Sequence, residues 1–233
     1  MTIKELLKKP YHFANRVTKP VVYGKKSIEP ISKKMGYERG MPIDRYYIET
    51  FLKQNRNLIT GDVLEIAEDQ YTRRFGTGDV VSHILSYKGE QKGSGRIIEG
   101  DLTKPDTLPE ETIDCFICTQ TLNFIYDVHV AVKGIHKVLR PGGRALVTVA
   151  GASQISRYDY ERWGDYWRFS DLAIKKLFLE CFKEEKLKVV TFGNLAALMA
   201  LLQGFAVEDL EHPGILDQKD PDYPCTIGVV ATR

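Results

Sequence analysis

What this chain of 233 residues lacks narrows its class first. No apolar run approaches the ~20 residues that a membrane-spanning helix needs, and "MTIKELLKKPYHFANRV" has no apolar stretch of the signal-peptide kind. The cytoplasm is therefore the expected compartment. The four cysteines agree with it. Cys115 and Cys118 form a C-x-x-C, but within "IDCFICTQ", an apolar strand-like run. Residues three apart on a strand face opposite sides, a poor clamp, so they read as buried small side chains and no metal is expected. A net charge of only +2 gives no global nucleic-acid signal. There is no internal repeat and no low-complexity linker.

The charge that is present is uneven. Residues 1–40 hold ten lysines and arginines against three glutamates, an excess of seven positive charges, which leaves the rest at −5. This basic arm is expected to be solvated, with contact to an anionic substrate, lipid headgroups or a partner as the sharper alternative. Residues 41–233 read as one α/β domain, a size that supports a full core.

"MPIDRYYIETFLKQN" reads as the first helix, with Ile43, Tyr47, Ile48, Phe51 and Leu52 on one face and Pro42 suited to its start. Strands are expected at Val63–Ala67, Val80–Leu85, Arg96–Glu99, Ile113–Thr119, Ala145–Ala150, Lys188–Phe192 and Thr226–Ala231. Helices are expected near Asp127–Leu139, Asp171–Phe182 and Leu195–Gln203. The alternation implies a mainly parallel sheet with helices on both faces. About ten residues separate the second and third strands, too few for a full crossover helix.

Glycine is scarce where an α/β fold most often uses it. "VLEIAEDQYTRRFG" looks like a buried strand that ends at a ligand, yet no glycine follows until Gly76. Further on, "GD" follows the third strand, "PEETIDCFIC" leads into the fourth, and "HKVLRPGGRALVTV" reads as helix, turn and fifth strand. In order and spacing, Gly61–Ala150 resembles the class I S-adenosylmethionine-dependent methyltransferases of the type 11 kind. That resemblance implies a Rossmann-like sheet of seven strands, the last antiparallel, with S-adenosylmethionine as cofactor. It places Glu65 and Ala67 against the methionine part, Asp101 at the adenine amino group, Leu102 on the base, and Thr119 and Gln120 at the sulfonium end. The family's usual acid at the end of the second strand is missing, and His83 stands nearest that position. Ala67, Asp69 and Tyr71 replace the usual glycines, which suggests a remodelled binding turn. Asp101 also fits a plain turn-forming residue. Arg39 and Arg45 flank the first helix, and one of them is expected to meet the cofactor carboxylate.

"SRYDYERWGDYWRFS" looks like a subgroup of these enzymes from glycan and secondary-metabolite pathways. Its aromatics and carboxylates suit a sugar, glycan or other polyhydroxylated acceptor, so O-methylation is the expected reaction. Arg157, Tyr158 and Trp163 are the candidate acceptor contacts, and Asp159, Glu161 and His129 the candidate bases. The same segment could equally be a packed, salt-bridged lid. The competing reading is a non-catalytic relative that binds a nucleoside or a partner protein.

Overall fold

The computed structural model describes residues 13–14, 28–87, 89 and 92–233. Most of the basic arm before Ile28 therefore lies outside the described residues. One seven-stranded sheet organises the chain: β1 (Gly61–Ile66), β2 (Val80–Ser86), β3 (Arg96–Glu99), β4 (Ile113–Thr119), β5 (Leu139–Ala150), β6 (Leu187–Phe192) and β7 (Thr226–Thr232). Their spatial order is β3-β2-β1-β4-β5-β7-β6. Pairs among β1 to β5 are parallel, and β7 runs antiparallel between β5 and β6. The expected sheet is present, with strand limits within about two residues except in β5. There, "LRPGG" belongs to an extended strand with a register shift opposite Ile113 and Cys115, so these residues continue β5 rather than making a separate turn.

From Ile28 on, six α-helices are found among the described residues: α1 (Ile43–Gln54), α2 (Gln70–Phe75), α3 (Val128–Val138), α4 (Arg157–Tyr160), α5 (Asp171–Phe178) and α6 (Leu195–Gln203). Their ends follow local chemistry. Asp127, Ser170 and Asn194 each accept a backbone N–H as the N-cap of α3, α5 and α6. α5 stops four residues before the expected Phe182. No helix occupies the described residues between β2 and β3, as the short spacing required.

The core has two layers. One lies between the sheet and α3 and α5, the other between the sheet and α1, α2 and α6. Cys118 belongs to the first layer and Cys115 to the second, on opposite faces of β4. Strand order reverses between β1 and β4, and a parallel sheet opens its ligand crevice beyond the carboxyl ends of such strands. Among the described residues, no helix is long and apolar enough to cross a membrane.

Candidate functional site

The chain leaves β1 through a turn that keeps a glycine-like conformation without glycine. Ala67 has φ +60°, in the left-handed region, and stays exposed at the mouth of the crevice. One methyl group is thus all that separates it from the usual residue. Asp69 is different, since it is fully buried and its carboxylate accepts from Ser94 N–H at 3.2 Å, with Arg73 3.1 Å away. Lys92 N–H donates to Ala67 C=O at 2.7 Å. The segment after β2 therefore folds back onto the turn, and Asp69 serves as its anchor.

Glu65 is also committed inward. Its carboxylate accepts from Tyr71 N–H at 3.1 Å, Thr72 N–H at 2.8 Å and the Thr72 hydroxyl at 2.9 Å, holding the start of α2. Burial pushes its pKa up to about 7, against the opposing pull of these donors. Glu65 thereby fixes the turn between β1 and α2.

Eight buried side-chain polar atoms among the described residues have no hydrogen-bond partner in the protein, Glu38 Oε2, Arg39 Nη1 and Asp69 Oδ1 among them. They also include Arg45 Nε, Tyr47 Oη, Gln120 Nε2, Thr148 Oγ1 and Thr226 Oγ1. Gln120 and Thr148 lie at the exits of β4 and β5, and Thr226 opens β7 beside Ala150. Tyr47 and Arg45 come from the first turns of α1 above them. Gln120 has φ +50°, a conformation uncommon outside glycine that here follows directly on β4. Unsatisfied buried donors are rare in folded proteins, and a cluster of them marks a place for a polar ligand.

Arg45 is the cation of this cluster. Its guanidinium lies 5.7 Å from the ring centroids of both Tyr37 and Tyr71, and it is hydrogen-bonded to Tyr37. Among the described residues no carboxylate forms a salt bridge with it. Tyr71 lies in the first turn of α2, so Arg45 stands beside the helix that follows the turn after β1. Arg39, the other arginine considered, is buried and makes a two-pronged pair with Asp209 at 2.7 and 2.9 Å. It secures the segment before α1 to the residues that follow α6.

Several expected residues stand elsewhere. His83 Nε2 is 2.8 Å from Asp62 Oδ1, and Arg140 bridges Asp62 and Asp114 at 3.0 and 2.6 Å. Those aspartates sit at the amino ends of β1 and β4, so His83 belongs to an ion-paired cluster at the far end of the sheet. At the carboxyl end β2 offers Ser86 and Tyr87 and no carboxylate. Asp101 Oδ1 accepts from Thr103 N–H at 2.8 Å and the Thr103 hydroxyl at 2.7 Å, the turn-forming alternative. Leu102 packs in the core, where its carbonyl would lie 2.7 Å from a Cβ placed on Gly134 of α3. It is not exposed as a platform for a base. Thr119 is half-buried at the end of β4, beside Gln120. His129 is largely exposed on α3 and paired with Glu180 at 2.8 Å, away from the segment after β5.

That segment, residues 153–168, is bound tightly to itself. Arg168 holds Asp165 at 2.5 and 3.0 Å and donates to the carbonyls of Ser153 and Gln154. Burial favours the protonated form of Asp165, but Arg168 and the Ser156 N–H hold its pKa below the usual carboxylate range. The Ser156 hydroxyl donates to Asp159 at 2.5 Å. Asp159 is half-buried and within electrostatic reach of Tyr37, while Glu161 is exposed. Arg157 and Arg162 lie over the rings of Tyr160 and Tyr158, and Trp163 meets Tyr87 edge-on at 5.7 Å. An open cavity of about 530 Å³ runs along residues 160–166.

Asn123, which the sequence reading did not single out, fixes this segment to the sheet. It is 2% exposed. Its side chain accepts from Ala150 N–H at 3.3 Å and donates to Trp167 C=O at 3.2 Å, while its carbonyl accepts from the N–H groups of Tyr166 and Trp167. One residue thereby ties the exit of β4, the last residue of β5 and the end of the lid-like segment.

Residues 60–147 match a family described as a methyltransferase domain. No curated protein sequence matches the chain. Many solved structures match the fold, three of them as follows. A SAM-dependent methyltransferase from Archaeoglobus fulgidus is 10% identical, with 81% of this chain and 94% of that one covered and a TM-score of 0.51. A possible histamine N-methyltransferase from Thermotoga maritima is 16% identical over 84% and 93% of the two chains, with a TM-score of 0.52. Phosphoethanolamine N-methyltransferase 2 from Haemonchus contortus, solved with S-adenosyl-L-methionine, is 14% identical over 100% of this chain and 60% of that one, at a TM-score of 0.50. The family model covers residues 60–147 of the chain, and the likeness to these solved structures is one of fold.

Proposed function

We propose that this protein methylates a hydroxyl group of a small polyhydroxylated acceptor held beneath residues 153–168. The reading takes S-adenosylmethionine as the cofactor, and its supporting observation is the set of unpartnered polar atoms at the ends of β4, β5 and β7, together with the Arg45 guanidinium, whose Nε has no hydrogen-bond partner. Such a set suits a ligand that carries a carboxylate and several polar groups. Arg45 would hold the cofactor carboxylate, the exposed turn at Ala67 would border its methionine part, and Thr119 and Gln120 would line the sulfonium end. The ribose end departs from the family, because β2 ends without an acid. When bound, the cofactor supplies a methyl group on a sulfonium, open to attack by an aligned nucleophile.

The rest falls to the chain's own residues. Exposed Tyr158, Tyr160 and Tyr166 offer flat faces to a sugar ring, and Arg157 and Glu161 offer partners for its hydroxyls. Of the candidate bases we assign the acceptor proton to Asp159. It is the half-buried one of the candidate carboxylates, whereas Glu161 is exposed and His129 is paired to Glu180. Residues 153–168 also exclude water from the transfer.

Replacing Arg45 by alanine should weaken S-adenosylhomocysteine binding about ten- to a hundredfold, the scale of hydrogen bonds to a charged group. Lysine should restore part of the loss, since it keeps the charge but not the planar fork. Calorimetric titration of the three proteins checks this, and equal affinities would remove Arg45 from the site.

A further inference from the structure

We propose that Asp44 and Arg45, adjacent in the first turn of α1, form a two-charge clamp for the amino-acid end of the cofactor, the Asp44 carboxylate taking its ammonium and the Arg45 guanidinium its carboxylate. The inference rests on the reading of S-adenosylmethionine as cofactor. It adds the ammonium partner, to which no residue has yet been assigned.

The first ground is where α1 begins. The Tyr47 ring lies 5.9 Å from that of Phe192, which is paired with Thr226 at the start of β7. About one turn later, Phe51 packs on Gly228, where a Cβ would meet its ring at 2.6 Å. α1 therefore runs along β7 in the same direction, with its first turn toward the start of that strand. Thr226 also pairs with Ala150, the last residue of β5, so this is the edge at which the parallel strands end. Asp44 lies three and four residues before buried Tyr47 and Ile48, a spacing that continues the packed face of α1 past them. Cys225, just before β7, is within its electrostatic reach.

The second ground is that Asp44 lacks a cation of its own. It is half-buried, and its carboxylate accepts the Arg45 N–H at 2.8 Å. Among the described residues it forms no salt bridge. Burial raises its pKa, against the pull of the Arg45 N–H and guanidinium. Glu49, the other carboxylate near Tyr71, is already paired with Arg74. Arg45 does not close onto Asp44, because neighbouring helical residues point roughly 100° apart. Its guanidinium turns instead to the rings of Tyr37 and Tyr71, and its buried Nε has no hydrogen-bond partner.

Opposite charges thus stand side by side, in each other's field but not joined. An α-amino acid group carries an ammonium and a carboxylate on one carbon and answers both through charge-assisted hydrogen bonds. A phosphate would meet Arg45 but be repelled by Asp44, and a neutral polyol would leave both charges uncompensated.

The test is calorimetric titration of the full chain with S-adenosylhomocysteine, with its decarboxylated analogue, which keeps the ammonium, and with methylthioadenosine, which lacks the whole amino-acid group. Asp44→Asn should weaken the first two about ten- to a hundredfold and leave the third unchanged. Arg45→Ala should weaken S-adenosylhomocysteine alone. Asparagine can still accept the Arg45 N–H, so the start of α1 is kept, and Asp44→Glu should recover part of the affinity. Equal weakening of all three ligands by Asp44→Asn would assign Asp44 to the fold and overturn the clamp. So would an unchanged affinity for S-adenosylhomocysteine, or a wild-type chain that binds methylthioadenosine just as tightly. Binding of none of the three by the wild-type chain would overturn the cofactor reading itself, and the clamp with it.

Discussion

Asn123→Ala should lower the stability of the domain by about 2–4 kcal/mol, because it strips two hydrogen bonds from a buried site and leaves their partners unsatisfied. The Ala150 N–H and the Trp167 carbonyl would lose the amide that joins them. The backbone carbonyl at position 123 would still accept from Tyr166 and Trp167, so the segment should loosen rather than detach. Urea unfolding measures the first effect, and hydrogen exchange across residues 153–168 measures the second. Faster exchange confined to that segment, with slower acceptor turnover, is the expected pattern. A variant with unchanged stability and exchange would mean that the Arg168–Asp165 pair and its neighbouring carbonyl contacts hold the segment by themselves.

The second large effect is on the reaction. Asp159→Asn should slow turnover about a hundredfold or more while cofactor affinity stays the same, as expected for loss of a general base. Asparagine keeps the size of the side chain and can still accept from the Ser156 hydroxyl, so the turn at Ser156 should survive. Glu161→Gln should have a small effect, since Glu161 is exposed. Steady-state rates for both variants on the true acceptor decide between them. If both keep near-normal turnover, alignment alone drives transfer and no base comes from this segment.

The sheet was legible because its signals are local. Apolar runs bounded by turn residues marked every strand, and the order of "VLEIA", "EGD", "DCFIC" and "LRPGG" carried the fold. The site was less legible, because its partners are distant in sequence. Arg39 and Arg45 are equivalent in the sequence, and only the position of Asp209, 170 residues away, separates them. His83 looked well placed by count along β2, but its ring turns toward Asp62 at the start of β1. Asp101 carried both of its readings from the start, and the local hydrogen bonds to Thr103 select the turn. Nothing distinguished Asn123 from any polar residue after a strand. Its role rests on contacts with Ala150 and Trp167, 27 and 44 residues further on. The glycine-poor turn was visible, but its solution was not: Ala67 keeps the backbone shape while Asp69 turns inward to hold Ser94.

Whether that rebuilt turn still binds the cofactor is the point on which the account rests. Titration of the full chain with S-adenosylhomocysteine in a calorimeter addresses it without any knowledge of the acceptor. The account predicts saturable binding at one site per chain, weakened by Arg45→Ala. An absence of saturable binding up to millimolar ligand would contradict it, and would leave a methyltransferase fold whose crevice serves another ligand.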